Sequence, residues 1–341
     1  MMQIMVIGGG SIGKRHIKNL LELDMAIQLT VVDPCETLCE EIKKDFAVNT
    51  YFKLEEAMRK KKYDIAFICS PNHLHVSQAL TLAKENIHVF IEKPVSLSLE
   101  EAKDLIPVVE EHKIDVMVGC NLRFHPGVVC LLGALERELI GRPLYARAHF
   151  AHYLPNWRPG QDYRKTYSAN KDQGGGILLD DIHEPDYLCW LLGEVVKVSG
   201  SLENLGDLNI DSEDIAEYTL WHRCGAYSQI HTDYLRRDKS RGCELVGTAG
   251  TLVWRSTGKN PEVVTVEWYS AEAEKWSVLL SLDAYDQNQQ YVNEVKYFLD
   301  NIQRGKKPMN GLDEALALIS VLDTVKKASH LGQIDVSSLM N

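Results

Sequence analysis

Short apolar runs alternate with amphipathic stretches from the start of the chain. IMVIG, LTVVD, DIAFICS, HVFIEKP and DVMVGCN are apolar throughout, without the in-out alternation of a strand that has one face in water. Such runs belong to strands covered on both faces, as in a parallel sheet with crossover helices. Between them, apolar positions recur three and four apart, which predicts helices from about Ile12 to Leu23, Pro34 to Asp45, His73 to Glu85 and Leu99 to His112. The pattern predicts a doubly wound α/β domain over residues 1–122.

Beyond about residue 140 the rhythm changes. PLYARAHFAHY, AEYTLWH, AYSQIHTDY, CELVG, TLVW and VVTVEWY alternate apolar and polar positions and are rich in β-branched and aromatic residues. They read as strands of an antiparallel sheet with one face covered. Helical spacing returns in QQYVNEVKYFLDNIQRG and DEALALISVLDTVKKA. The second domain is therefore α+β over residues 123–341, and its last helices can pack back on the first. No repeat or low-complexity tract separates the two.

Composition narrows the function. A length of 341 residues suits about two domains at ~100 to 200 residues each. The net charge of −11, with no basic run, argues against nucleic acid or an anionic membrane as the main partner. No segment approaches the ~18 continuous apolar residues of a membrane span, and MMQIMVIGGG reads as a strand rather than a signal peptide. The eight cysteines are scattered without a CxxC pair, which fits thiols in a reducing cytoplasm better than a disulfide frame or a zinc site. No cluster with metal-ligand spacing is present, and His149, His152 and His231 read as ordinary sheet residues.

Gly8, Gly10 and Gly13 form a GxGxxG between the first strand and the first helix, with Ser11 and Ile12 opening that helix. The first glycine permits the tight turn, the second lets backbone approach a pyrophosphate, and the third lets helix and sheet pack closely. Asp33 ends the second strand, about twenty residues on, where a carboxylate accepts ribose hydroxyls. It repels a 2′-phosphate, and Pro34, Cys35 and Glu36 supply no arginine for one, so NAD is favoured over NADP. An Asp33 that merely caps the next helix is compatible with the same sequence.

Two more stretches fall at carboxyl ends of strands, where ligands of such sheets bind. One holds Ser70, Pro71, Asn72 and His75, with Asn72 and His75 placed to cap and orient a helix beside the cofactor. The other holds Glu92 and Lys93 before a proline. A buried lysine there suits acid-base work or holding a hydroxyl, although an isolated lysine at a strand end is usually just solvated. Asn121 and Arg123 face the cleft from the domain junction. Tyr153, Trp157, Arg158, Tyr163 and Arg164 lie in YLPNWRPGQDYRKTY, rich in groups that bind ring faces, hydroxyls and anions. The same stretch can instead decorate a dimer interface. If its arginines bind substrate, they favour an acidic or nucleotide sugar over a neutral hexose.

A second glycine run, in QGGGILLDDIHEPDYLCWLLG, is no phosphate loop, because Asp180, Asp181, His183, Glu184 and Asp186 follow at once. Asp180, His183 and Asp186 are three apart and can share one helical face, while Leu188, Leu191 and Leu192 help bury another. A histidine bonded to Asp180 without substrate contact, and an Asp186 paired with a basic neighbour, are the plainer readings.

Together these stretches resemble the glucose-fructose oxidoreductase / inositol dehydrogenase (Gfo/Idh/MocA) family over nearly the whole length. The residues that carry it are GGGSIGKRHIKNL, SPNHLHVSQALTLAKENIHVFIEKP, VGCNLRFHP and ELVGTAGTLVW. The resemblance implies a Rossmann domain followed by a domain on a large open, mainly antiparallel sheet whose exposed face mediates contacts in a homodimer or homotetramer. It implies a catalytic lysine at Lys93, whose bond to Pro94 is commonly cis in relatives. It also makes the second glycine run and Asp180, His183 and Asp186 part of a site facing the nicotinamide, the glycines lying under the substrate and the acids orienting the imidazole. Many relatives place the first aspartate four residues before the histidine, whereas the spacing here is three. The reaction implied is hydride transfer between NAD and a secondary hydroxyl of a sugar, sugar acid, nucleotide sugar or cyclitol. His183 takes the proton and Lys93 holds the same oxygen. Alternatives are a redox-neutral enzyme that oxidises its sugar transiently with retained NAD, and a non-catalytic nucleotide- or sugar-sensing regulator.

Overall fold

The computed structural model describes residues 1–330. The chain forms two compact units, one of Met1–Asn121 with Asn288–Ile319, the other of Leu122–Gln287 with residues 320–330. In the first, β1 (Met2–Ile7), β2 (Ile27–Val32), β3 (Asn49–Tyr51), β4 (Ile65–Ile68), β5 (His88–Glu92) and β6 (Val116–Gly119) form a parallel sheet in the order β3-β2-β1-β4-β5-β6. The chain winds outward from β1 to β3, then returns to lay β4 on the other side of β1. That reversal opens a crevice at the carboxyl ends of β1 and β4. Ile4 to Ile7 and Ile65 to Ile68 are all buried, as the uniformly apolar runs require.

The helices of this unit are α1 (Ser11–Glu22), α2 (Glu36–Phe46), α3 (Leu54–Lys60), α4 (His75–Ala83), α5 (Leu99–Ala102) and α6 (Leu105–His112). The single helix expected over Leu99 to His112 is thus two. Pro107 has no N–H for the carbonyl of Lys103, so the ladder breaks just ahead of it.

In the second unit, α7 (Pro126–Glu136) precedes β7 (Pro143–Ala151), and α8 (Ile177–Asp180) and α9 (His183–Leu192) precede seven further strands. These are β8 (Val195–Glu203), β9 (Ile215–His222), β10 (Tyr227–Asp233), β11 (Ser240–Gly247), β12 (Gly250–Thr257), β13 (Glu262–Ser270) and β14 (Lys275–Tyr285). They make an eight-stranded sheet, β14-β13-β12-β11-β7-β10-β9-β8, antiparallel except where β7 meets β10. Side chains sort by face. Tyr218, Ile230, Ala148, Cys243, Trp254 and Val266 form a cross-strand row that is buried throughout. The parallel row Ser199, Thr219, Gln229, Arg147, Glu244, Val253, Glu267 and Val278 runs across all eight strands without one buried member. One face of this large sheet is covered and the other is open.

The chain ends in α10 (Asn288–Gln303) and α11 (Leu312–Ser329). Within the first unit α10 lies against α1, with Asn288 donating to Asn19 at 2.8 Å and the Arg15 guanidinium 4.3 Å from the ring centre of Tyr291. Among the described residues, no helix is long and apolar enough to cross a membrane.

Candidate active site

The three glycines of the first loop are required for different reasons. Gly8 has φ +100°, and a Cβ there would lie 2.5 Å from the carbonyl oxygen of Cys69. A Cβ on Gly13 would run into the carbonyl oxygen of Gly8, so this glycine lets α1 close on the loop. Gly10 differs, since nothing lies within 4 Å of where its Cβ would be. It occupies the N-cap position of α1, where no side chain caps the helix and no acid stands in the first turn that Ser11 and Ile12 begin. Open space in front of uncapped N–H groups fits a pyrophosphate. Gly13→Ala is therefore expected to cost about 1–3 kcal/mol of stability by overpacking. Gly10→Ala should leave stability within about 0.5 kcal/mol and weaken dinucleotide binding. Thermal unfolding and calorimetric titration separate the two.

Asp33 is buried and its carboxylate is anchored on both sides. Oδ2 accepts from the N–H of Gly9 at 2.7 Å and Oδ1 from the N–H of Cys35 at 2.8 Å. A carboxylate offers about four acceptor sites, so two remain for ribose hydroxyls. Helix α2 starts only at Glu36, with Cys35 at its N-cap position, so Asp33 braces the glycine loop and the following turn rather than capping from beside Pro34.

At the end of β4, Ser70 donates through Oγ to Gln78 at 2.7 Å, and Pro71 leads into a short 3₁₀ turn, Asn72–Leu74. Asn72 does not cap α4, because Leu74 holds that position and no side chain bonds there. His75 is fully buried with a backbone carbonyl at each ring nitrogen. Its ring is occupied by the chain itself rather than offered to a ligand. Glu92 likewise turns inward, accepting from His16 Nε2 at 2.6 Å, and the His16 ring packs against Phe67 and Phe90. Lys93 stands just past the carboxyl end of β5, half-buried, and its bond to Pro94 is cis. Asn121 is buried at the first position of a 3₁₀ turn after β6.

In the second unit the glycine run makes room for the chain itself. A Cβ on Gly175 would strike the carbonyl oxygens of Tyr167, Asn170 and Ser168, and one on Gly176 would strike the carboxylate of Glu213. Glu213 accepts from the N–H of Leu178 at 3.3 Å in the first turn of α8. The space of the missing side chains at Gly175 and Gly176 is thus taken by protein atoms, so the chain's own packing already requires glycine at both positions.

The shared helical face is also corrected. α8 ends at Asp180 and α9 starts at His183, with a bend at Asp181 (φ −108°, ψ 58°). The reason lies in the sequence. A proline ring collides with the carbonyl four residues earlier in a helix, so Pro185 excludes Asp181 from a continuous one, while standing comfortably in the first turn of α9. Asp180 and His183 are therefore placed by two helices, and both are buried. Asp180 accepts from the phenols of Tyr167 at 2.7 Å and Tyr234 at 2.9 Å. Asp186 takes the plainer of its two readings, because Arg123 grips it with Nε at 3.0 Å and Nη2 at 2.8 Å. Both side chains are almost fully buried, and the guanidinium lies over Trp190. Arg123, expected to face a cleft as a substrate contact, instead anchors α9 inside this unit.

Behind the bend lies a buried charge cluster. Arg241 of β11 reaches Asp181 Oδ1 at 2.5 Å and Glu184 Oε1 at 2.9 Å, over the ring of Phe150. Burial pushes the Glu184 carboxyl well up and the Arg241 charge opposes it. Burial would weaken the Arg241 guanidinium as a base, but Glu184 and Asp181 outweigh it and raise its pKa. Residues on both sides of His183 are thus held by one side chain.

In the stretch from Tyr153 to Tyr167, Trp157 donates to the carbonyl of His152 at 2.9 Å and packs on Phe150 and Tyr234. Tyr163 donates to the carbonyl of Leu208 at 2.9 Å, and Arg164 forks onto Asp162 at 2.9 and 3.1 Å on the surface. Arg158 lies over Tyr167, and Tyr153 lies under Arg237. Trp157 and Tyr163 tie the stretch down, while Arg158 reaches the tyrosine that holds Asp180. Tyr167, Tyr234 and Arg241 escaped the sequence reading, since Tyr234 and Arg241 stand some fifty to sixty residues from the groups they hold and carry no motif.

Residues 2–120 match the oxidoreductase family with an NAD-binding Rossmann fold, and residues 128–253 match the GFO/IDH/MocA C-terminal domain. The chain belongs to the Gfo/Idh/MocA family. This Gfo/Idh/MocA oxidoreductase is 29% identical over 330 residues to a myo-inositol 2-dehydrogenase of Thermotoga maritima, with 93% of each chain covered. It is 27% identical over 282 residues to a 1,5-anhydro-D-fructose reductase of Ensifer adhaerens, covering 81% of this chain and 80% of that protein. A solved levoglucosan dehydrogenase, in complex with NADH and levoglucosan, shares the fold at 19% identity, with a TM-score of 0.84 over 96% of this chain and 97% of its own.

Proposed function

We propose that this oxidoreductase transfers a hydride between NAD and a secondary hydroxyl of a sugar, sugar acid, nucleotide sugar or cyclitol. The observation that carries the reading is the open cradle at Gly10 in front of uncapped N–H groups, beside a carboxylate with acceptor sites to spare. Kinship with an inositol dehydrogenase and an anhydrofructose reductase supports the substrate class. Gly8, Gly10, Ser11, Ile12, Gly13 and Asp33 hold the dinucleotide, with Ser70, Pro71, Asn72 and Asn121 along the same edge. Asp33 favours NAD, because its charge repels a 2′-phosphate. Bound nicotinamide supplies the hydride acceptor. In alcohol oxidation Lys93 donates a hydrogen bond to the hydroxyl oxygen and stabilises its developing negative charge, while His183 takes the proton. Asp180, held by two phenols, places its carboxyl group just ahead of α9.

The unit of residues 1–121 with 288–319 then serves as the NAD-binding domain, and the unit built on residues 122–287 as the substrate-binding and oligomerisation domain. The open sheet face, which carries exposed Val278 and half-buried Val253 among polar neighbours, supports a homodimer or homotetramer through that surface. Eight free cysteines support a reducing, cytoplasmic setting.

Screening sugars, sugar acids, cyclitols and nucleotide sugars for NADH absorbance at ~340 nm tests the reading. Turnover with at least one class is expected, with NAD preferred to NADP. A tenfold preference for NADP would overturn the role of Asp33, and bound NAD that stays oxidised with every class would overturn net hydride transfer.

A further inference from the structure

His75 has no solvent exposure, yet both of its ring nitrogens meet backbone oxygens. Nδ1 lies 2.8 Å from the carbonyl oxygen of Pro94, and Nε2 lies 2.9 Å from that of Ser70. The two carbonyls belong to different loops. Pro94 directly follows Lys93 at the end of β5, and Ser70 follows β4. Ser70 is in turn part of the backbone against which the glycine loop rests, since a Cβ on Gly8 would come within 2.8 Å of its nitrogen. One imidazole therefore ties the residue after Lys93 to the support of the dinucleotide loop.

Neither helix capping nor simple packing accounts for this ring. His75 is the first residue of α4, but it caps nothing there, and an apolar side chain would fill the space without the cost of burying an imidazole. Direct contact with a cofactor would require breaking a hydrogen bond that the ring already makes. What remains is its span between two loops. The neutral ring donates to one of the two carbonyls and packs its other edge against the second, and the protonated ring donates to both; glutamine carries its donors on a single nitrogen and can replace it only in part.

We propose that His75 is a positioning residue that sets the Lys93 ammonium against the dinucleotide loop by holding the Pro94 and Ser70 carbonyls in register. The proposal rests on the role given to Lys93. A displacement of about 1 Å at a reacting group can lower a rate by about 100-fold.

The experiment compares His75→Leu, His75→Gln and Lys93→Met, singly and with His75→Leu added to Lys93→Met, on the best substrate from the panel. His75→Leu is expected to lower kcat by about 10–100-fold, with the sugar KM and the Kd for NAD each changed less than about threefold. His75→Gln, which keeps a donor, should recover at least part of the rate. In the Lys93→Met background the same change should cost almost nothing further, because it acts through the lysine. A multiplicative loss, or a drop explained by weakened NAD binding, would overturn the proposal. So would a folded His75→Leu with kcat within twofold of the parent. If His75→Leu does not fold, His75→Gln takes its place in the cycle, with an expected loss of about 3–10-fold that again vanishes without Lys93. If instead Lys93→Met itself leaves kcat unchanged, the catalytic role of Lys93 has failed first, and the His75 proposal falls with it.

Discussion

Lys93→Met is expected to lower kcat by about 10²–10⁴-fold while the fold and dinucleotide binding survive. The size follows from what the ammonium does. A group that donates a hydrogen bond to an oxygen gaining charge contributes about 10²–10³ in rate when it is pre-positioned, and acid-base groups contribute about 10²–10⁴. Methionine keeps the length and most of the apolar stem of lysine, so the half-buried position past β5 loses its charge and donors but little packing. The Kd for NAD, read by quenching of protein fluorescence, should move less than tenfold, because the glycine loop and Asp33 remain. Steady-state turnover unchanged within threefold would remove Lys93 from the chemistry. His183→Asn, measured alongside, is expected to lower kcat and to abolish the acidic limb of its pH profile, since that limb reports protonation of the base.

Arg241→Met should have the largest effect on stability, a loss of about 3–5 kcal/mol at neutral pH. The substitution leaves Glu184, fully buried, and Asp181, nearly so, without their cation. Two carboxylates with no countercharge in a dry site cannot both stay ionised. The sign of the pH dependence follows. Burial already raises the Glu184 pKa in the folded protein, and loss of the guanidinium raises it further. A carboxyl whose folded pKa lies above its unfolded value loses stability as the pH rises from the unfolded toward the folded pKa, carries the full cost above the folded pKa, and carries none below the unfolded value. The gap between variant and parent should therefore be widest near pH 8 and should narrow by pH 5 in urea unfolding. Adding Glu184→Gln to the variant should recover at least about 1 kcal/mol at pH 8. A gap that widens toward low pH would contradict an unpaired carboxylate as the cause.

Much of the architecture was legible in the chain. Uniformly apolar runs implied a sheet covered on both sides, and alternating runs implied one with an open face. Both sheets have those exposures. Strands β8 and β14, the two edges of the second sheet, escaped notice although VVKVSGSLE and KWSVLLSLDAY also alternate, with their polar residues on one parity. The break between α8 and α9 was readable, since Pro185 stands four residues after Asp181, but the three-residue spacing of Asp180, His183 and Asp186 suggested a single face. The three glycines after Gln173 resembled a cradle for ligand, whereas Gly176 makes room for Glu213, a residue with no motif of its own.

By itself the sequence determined most of what depends on neighbours along the chain: the character of the majority of strands and helices, where glycine stands in the first loop, and which strand ends carry carboxylate and lysine. These follow from periodicity and backbone sterics, which act over a few residues. Only the tertiary structure decided which partner each buried polar group takes. Arg123 met Asp186, Arg241 met Asp181 and Glu184, two tyrosines met Asp180, and His75 met two carbonyls. A buried charge or donor must be satisfied by whatever the fold brings within about 3 Å, and that is set by how distant segments pack.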